Sequence, residues 1–594
     1  MINTIIGIIL LIVPFLLVVK FKDKKLAPFF IFTFLIAFHL VLALVTQALG
    51  IFTYPVILGA NILVCLIIIF TTNFKSVKER IKTIKVDWVL IFIIIVIFLS
   101  LFAVHNNYTG KTSLANAPSY FDVKNMNYPY PYFSDEWYAV SLIQDSIDNH
   151  RLPLYSSLKP DTPLFANLEL CFHSFISEII LLLSLNPLTQ YSLIALFTGL
   201  IVCLLVYFIL KFNRVRNLTA GIGALGVLYI VNGANLPGIW YIIPLIMGLI
   251  CMLLGFIFLS QKKFNFSLIT AVLVLLFYPP LFVFYTIAFF VYIFTNKELS
   301  RKQRQSYLIY YLSVCIGVAL FLGIFALLKG NVFSLIWNKL FYETFTPDAI
   351  PNFSIFKIIP WPILIFGALG IWYLFKRKVY WLMATLLAGA IYWGTYSFSL
   401  YRFIIEYERV VVTTSILFLI VAGFGLHYFI LLANKNKTIR ELNLMTWLRV
   451  VLLIAFFVLA FSYTNDTRWT ELKLYHESGN VFSPAAPANA YLHPDDLRLF
   501  GNIKGKNFLS IPWKGTVIGV ATGNYPLSAK PGTLNPGKQE LYFEFLSAGC
   551  DRKLEIAIKR EVNYVYSAVF DCPGFIAIGE SAEQGLVLYE FLKD

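Results

Sequence analysis

Charge is what this sequence has least of. Only 13% of its 594 residues are Asp, Glu, Lys or Arg, while 59% are hydrophobic and 17% aromatic. A soluble domain carries about 25% charged residues, so an ordinary water-soluble globular protein is excluded. Acids are the scarcer sign, with 32 Asp and Glu against 47 Lys and Arg and a net charge of +15. That excess does not describe a nucleic-acid binder, because no groove-like pattern of basic and aromatic residues accompanies it. Walker, redox-cofactor and Gly-rich dinucleotide motifs are also missing, which disfavours ATP-driven and redox roles.

What is abundant is apolar length. Runs of about twenty apolar residues recur through the first four-fifths of the chain, each long enough to cross a hydrocarbon core of roughly 30 Å. The expected fold class is an all-α polytopic membrane protein. The bases fall in short connections: Lys20 to Lys25, Lys75 to Lys85, Lys211 to Arg216, Lys262 and Lys263, Lys297 to Arg304, Lys376 to Lys378 and Lys435 to Arg440. Short Lys/Arg-rich loops mark the cytoplasmic side and touch anionic lipid headgroups. Residues 2–19 lack a basic n-region and a small-residue cleavage site, so they read as a retained first span with its N-terminus outside.

Placing every basic cluster inside gives about fourteen crossings. They are expected near residues 2–19, 27–48, 54–72, 86–104, 189–211, 218–232, 239–260, 266–278, 280–295, 306–328, 357–375, 379–397, 408–432 and 448–464. Parity closes only if residues 165–185 do not cross. There Glu169, His173 and Ser177 form one polar stripe beside Leu168, Phe172, Phe175 and Ile179, the pattern of a helix lying along an interface or in a shallow groove. Tyr278, Pro279 and Pro280 break the 266–295 stretch into two short helices. Three outer features follow: a loop over 105–188, a loop over 329–357, and a C-terminal tail from about 465.

The tail changes composition. Gly- and Pro-rich pieces alternate with strand-like runs at Phe508–Ile511, Val517–Val520, Val562–Tyr566, Phe575–Ile578 and Leu586–Tyr589, with helical patterns near 539–548 and 551–561. A small soluble α/β extracytoplasmic domain over 465–594 is expected. Cys550 and Cys572 are its only cysteines; they are a candidate disulfide on an oxidising face, the alternative being two buried thiols. Trp513, Tyr525 and Tyr542 are either core residues or sugar contacts. The other five cysteines read as packing residues.

The long loop carries the chemistry. From Asp135 the sequence Asp-Glu-Trp-Tyr-Ala-Val-Ser-Leu-Ile-Gln-Asp-Ser-Ile-Asp predicts a helix near 135–150. Ser141, Gln144, Asp145 and Asp148 fall on one face, Val140, Ile143 and Ile147 on another. Asp135 and Glu136 stand in its first turn, where acids favour the helix dipole by roughly 0.3–1 kcal/mol. Capping alone would account for them. Trp137 and Tyr138 beside them, and Asp161, Glu169 and His173 in the same loop, make an acidic cluster at the bilayer surface that needs a partner or a task.

Ser134-Asp135-Glu136-Trp137-Tyr138 at the start of a juxtamembrane helix resembles the acidic pair of the GT-C superfamily of integral-membrane glycosyltransferases. That group includes the aminoarabinose transferases, protein O-mannosyltransferases and arabinofuranosyltransferases. The order continues with a second interfacial helix, then Leu185-Asn186-Pro187-Leu188-Thr189, then a span ending in a basic cluster. The likeness covers roughly residues 86–464, the spans before it and the tail after it being additions. It implies a GT-C-like fold and an extracytoplasmic active site in the cytoplasmic membrane. It also implies transfer of a sugar from a polyprenyl-phosphate-linked donor to a glycan, lipid or protein acceptor, with inversion.

By that analogy Asp135 is the general base, with Glu136 its catalytic neighbour. Independent chemistry agrees on the donor, since nucleotide sugars are not expected outside the cytoplasm. The leaving phosphate needs a cation. Arg402 and Arg409, at i and i+7 on an outer connection, are candidates, and Lys339 and Lys329 are weaker ones. Ion pairing of Arg402 with Glu406 and Arg409 with Glu408, or snorkelling, are the alternatives. Trp137, Tyr138, Asp161, Glu169 and His173 are candidate substrate contacts. His173 has two further readings, as a satisfied polar residue or as a metal ligand with Glu169. No cofactor is required, although some relatives use a divalent cation. The tail has no Trp-Trp-Asp acceptor motif, which argues against peptide N-glycosylation. Two rival functions remain: a flippase of lipid-linked saccharides, although no internal repeat is visible, and a non-catalytic glycolipid-binding scaffold.

Overall fold

The structure is a computed structural model that describes residues 2–83, 86–106, 108–113, 120–131, 134–159, 169–229, 241–329, 361–398, 407–434, 491–529 and 540–592, with short pieces between them. Helices occupy the apolar runs. They are α1 Ile2–Ile12, α2 Ala27–Ala48, α3 Tyr54–Thr71, α4 Phe74–Thr83 and α5 Trp88–Asn106, then α6 Ser134–Asn149, α7 Leu170–Leu182, α8 Tyr191–Phe212 and α9 Asn217–Gly226. After these come α10 Pro244–Ser260, α11 Phe264–Phe277, α12 Pro279–Thr295, α13 Arg301–Lys329, α14 Trp361–Lys376, α15 Tyr380–Phe398 and α16 Tyr407–Ala433. By length and composition, the helical stretches Ile2–Lys20, Ala27–Ala48, Tyr54–Thr71, Tyr191–Phe212 and Arg409–Ala433 can each cross a membrane, and shorter apolar helices pack beside them.

Local sequence explains several helix ends. Proline in the first two positions starts α2, α3, α10 and α12, where its missing N–H costs nothing. Pro14 turns the first stretch from α-helix into a 3-10 segment, Val13–Lys20. Over the span expected at 218–232 the described part is a helix, Asn217–Gly226, running on into a 3-10 turn at Val227–Tyr229, and residues 230–232 lie outside the described residues. The basic connection after α3 is itself a helix, α4.

α10 is the centre of the bundle, buried from Pro244 to Leu259, with α8, α11 and α12 packed around it. α14 and α16 cross in backbone contact: a Cβ at Gly425 would lie 1.7 Å from the Phe366 carbonyl oxygen, so only glycine fits. Two small sheets lie between helices. β1 Tyr108–Ser113 pairs antiparallel with β2 Tyr120–Met126 in the long loop. β3 Phe341–Glu343 pairs antiparallel with β4 Tyr401–Phe403, which sets Tyr342 opposite Arg402.

The tail contains α17 Pro494–Phe500, β5 Asn507–Ser510, α18 Pro512–Thr522, β6 Tyr525–Pro526, α19 Glu540–Ser547, α20 Cys550–Lys559, β7 Tyr564–Ser567, β8 Phe575–Ser581 and β9 Leu586–Phe591. Its sheet runs β6-β5-β7-β9-β8, with β5 parallel to β6 and β7, and β9 antiparallel to β7 and β8. Val517–Val520, expected as a strand, lies inside α18. Pro512 opens that helix and Gly523, at φ 73°, closes it. Cys550 and Cys572 are joined by a disulfide, with Cα atoms 5.4 Å apart. The expected boundary near residue 465 lies outside the described residues.

The tail does not stand apart. α18 packs on α6, and Val517, Val520 and Leu492 join the membrane domain's core. A Cβ on Gly519 would come within 2.6 Å of Leu158 in the segment after α6. The Leu492 amide donates to the Tyr128 hydroxyl at 2.9 Å, and Tyr491, Tyr128, Tyr130 and Trp137 form a ring-to-ring series from tail to α6. Inside the tail, the buried Lys514 ammonium pairs with Asp496, whose other oxygen accepts from Tyr566 and Gln584. Burial pulls the Lys514 pKa down against the pull of that carboxylate.

Candidate functional site

α6 begins at Ser134, so Asp135 and Glu136 stand in its first turn. Neighbours in sequence, they meet different surroundings. Asp135 is one-third exposed, and its Oδ2 accepts from Arg409 at 3.0 Å, a residue 12% exposed near the start of α16. Two groups 274 residues apart in sequence thus meet at one helix end. Glu136 is fully buried, and its Oε1 accepts the Ile242 backbone N–H at 3.0 Å.

The Ile242 peptide is held from both sides, because its carbonyl accepts from the Tyr191 hydroxyl at 2.8 Å. Tyr191 opens α8, and the charges of Glu136, Glu169 and Asp135 all bear on its phenol. Glu169 is the N-cap residue of α7. Its charge reaches Tyr138, whose phenol is raised above the ordinary range first by burial and then by that carboxylate. Asp135 and Arg409 thus meet at the start of α6, and Glu136 beside them shares the Ile242 backbone with Tyr191 of α8. An exposed carboxylate can exchange a proton, and the guanidinium can bind an oxyanion.

The remaining expected residues divide. Trp137 is fully buried and stacks near Tyr130, so in this structure it packs in the core. His173 is 1% exposed beside the Tyr138 ring, and burial pushes its pKa down to about 3, which makes it a neutral group. Arg402 lies in β4, with its side chain outside the described residues, as are Asp161 and Lys339. The Lys329 side chain is outside them too, as is that of Glu408. Among the described residues, no three His, Cys, Asp or Glu side chains converge as a metal site would require.

Both loop helices differ from the expected amphipathic ones. On α6, Ser141, Asp145 and Ser146 are buried. Asp145 takes two hydrogen bonds from Arg151 at 2.7 and 3.0 Å, and Ser141 and Ser156 share one at 3.0 Å. On α7, burial runs through Phe172–Glu178 without a solvent face. Thirteen residues reach about 20 Å, short of a full crossing. The polar stripes found protein partners instead of water. Tyr191 and the Ile242 peptide escaped the sequence reading, since nothing local marks either one.

No family model matches this sequence, and no curated protein matches it either. Among solved structures, the fold is similar to an archaeal oligosaccharyltransferase, AglB from Archaeoglobus fulgidus, in complex with an inhibitory peptide and a dolichol-phosphate. Identity there is 14% and the TM-score 0.46, with 81% of this chain and 69% of that one covered. The apo form of the Archaeoglobus fulgidus oligosaccharyltransferase matches at 15% identity and TM-score 0.46, with the same coverage. The form tethered to an acceptor peptide containing the NVT sequon matches at 14% and 0.44, again covering 81% and 69%.

Proposed function

We propose that this chain is a membrane glycosyltransferase. It moves a sugar from a polyprenyl-phosphate-linked donor to an acceptor at the outer face of the cytoplasmic membrane, with inversion at the anomeric carbon. The observation that carries the reading is the Asp135–Arg409 contact. It brings a part-exposed carboxylate and a guanidinium to one helix end, the two kinds of group that this reaction uses, one on the attacking oxygen and one on the departing phosphate.

Asp135 takes the proton of the acceptor hydroxyl as that oxygen attacks the anomeric carbon from the side opposite the phosphate. The bond from that carbon to the phosphate oxygen breaks, and the carrier leaves as a phosphate anion. Arg409 stabilises the charge that develops there. A phosphate arriving at Arg409 competes for the guanidinium and frees Asp135 to accept a proton, which later leaves through its exposed edge. Glu136, buried and bonded to the Ile242 amide, holds the start of α6 in place; in this reading it positions the base rather than reacting.

The test is incubation of purified protein with a panel of polyprenyl-phosphate sugars, following release of the carrier phosphate. Asp135→Asn is expected to abolish turnover with donor binding intact, and Glu136→Gln to lower it in part. Turnover surviving in both variants would sink the assignment.

A further inference from the structure

α1 to α3 precede the region that resembles a glycosyltransferase, yet their polar side chains reach into the site's two loop helices. α2 presents His39 and Gln47, eight residues apart and so on neighbouring parts of one face. His39 Nδ1 lies 3.0 Å from Glu178 Oε1 on α7. Asn61 of α3 donates to the same oxygen at 3.4 Å and to the Ile57 carbonyl at 2.9 Å. Gln47 Nε2 donates at 2.9 Å to Ser146 Oγ on α6, whose hydroxyl in turn donates to the Arg151 carbonyl at 2.7 Å. From α1, Gly7 allows backbone contact with the end of α7: a Cβ there would lie 2.6 Å from the Leu182 carbonyl oxygen.

All five polar side chains of this seam are buried, none more than 3% exposed. Among the described residues, Glu178 Oε2, His39 Nε2 and Gln47 Oε1 have no hydrogen-bond partner. Polar groups at such depth are costly where leucine or alanine would fill the space. What they supply and leucine cannot is register: apolar helices slide past one another at little cost, whereas a displaced carboxylate or amide loses its partners. Glu178 is held from both α2 and α3, which fixes the rotation of α7. Gln47 ties α6 to the same face of α2.

We propose that His39, Asn61 and Gln47, acting through Glu178 and Ser146, are positioning residues that set the depth and rotation of α7 and α6. They thereby align Asp135, Glu136 and Glu169, and in this last respect the inference rests on the transferase reading. The spans of α2 and α3 are then part of the machinery and not an addition to it.

Backbone hydrogen exchange of the full-length protein in lipid nanodiscs tests the clasp without requiring activity. Glu178→Leu and Gln47→Leu are expected to speed exchange over residues 134–149 and 170–182 by about tenfold or more, leaving α10 and the tail sheet unchanged. Glu178→Gln keeps an acceptor for His39 and Asn61 and is expected to stay within about twofold of wild type. Unchanged exchange in Glu178→Leu overturns the proposal, as does acceleration spread evenly over the molecule. A His39→Leu/Glu178→Leu double variant exchanging as slowly as wild type also overturns it, because apolar packing then suffices. With a donor that wild type turns over, Glu178→Leu is expected to lower kcat with KM little changed, and Glu178→Gln to restore it. Loosened helices with unaltered kcat refute the positioning role. A wild type inactive on every donor fails the transferase reading instead, and exchange alone then judges the clasp.

Discussion

Replacing Arg409 by Gln separates the two things its guanidinium does. In the resting protein it pairs with Asp135 at 3.0 Å, with side chains 12% and 32% exposed. Two unit charges near contact gain about 4 kcal/mol at an effective dielectric of 20 and about 1 kcal/mol in water. With a third of the carboxylate in solvent, the pair contributes toward the lower figure, about 1 kcal/mol or less. Folding should therefore survive the change with little loss of Tm. Catalysis should not. A charge-assisted hydrogen bond to a departing phosphate is worth about 1.5–3 kcal/mol. At 1.36 kcal/mol per tenfold, its loss lowers kcat/KM about ten- to 150-fold. Arg409→Lys keeps the charge without the planar fork and should fall between Gln and wild type. The assay is release of polyprenyl phosphate at low donor concentration, beside a thermal melt of each variant. A Gln variant within about twofold of wild-type kcat/KM would show that Arg409 does not meet the leaving group, and the reasoning fails.

Gly425→Ala places a methyl 1.7 Å from the Phe366 carbonyl, against backbone that no rotamer change can relieve. A loss at the upper end of the usual overpacking range of about 1–3 kcal/mol is expected as a lower melting temperature, while Gly317→Ala, inside α13 with open space around it, should melt at or slightly above wild type. Cys550→Ser opens a crosslink between residues 22 apart, worth about 3 kcal/mol by loop entropy, and should speed amide exchange across the tail as reduction of the wild type does. The Asp495 carboxyl is held below the ordinary range by the Ser581 hydroxyl and then by Arg498. A depressed carboxyl stabilises the fold above its unfolded pKa, about 3.9, and that contribution disappears as pH falls through the lower folded value. Asp495→Asn should thus weaken tail protection near neutrality and make no difference in strong acid.

How far the sequence could be read depended on whether a partner was local. Helix positions were legible because apolar runs and prolines act within a few residues; the α2 range was read to the residue. α18 was misread because Val517, Ile518 and Val520 favour strands, although Pro512 and Gly523 bracket a helix. The polar stripes of α6 and α7 were visible, but a stripe shows only that a face has polar partners. Asp145 and Ser141, both on the predicted stripe of α6, are met by Arg151 and Ser156 just beyond that helix, whereas Ser146 and Glu178, which lay on neither predicted stripe, are met by Gln47 and His39 from far earlier in the chain. Asp135 and Arg409 were each named from sequence, but their contact across 274 positions is a product of the fold.

The seating of α18 on α6 bears on the order in which the molecule is finished. A ribosome delivers the helices before α18 first, and until residues 512–522 emerge, α6 lacks the helix that packs on it. The helix that bears Asp135 is then among the last to settle. A chain cut short before Tyr491 would leave that face of α6 uncovered, even with Asp135 and Arg409 already made.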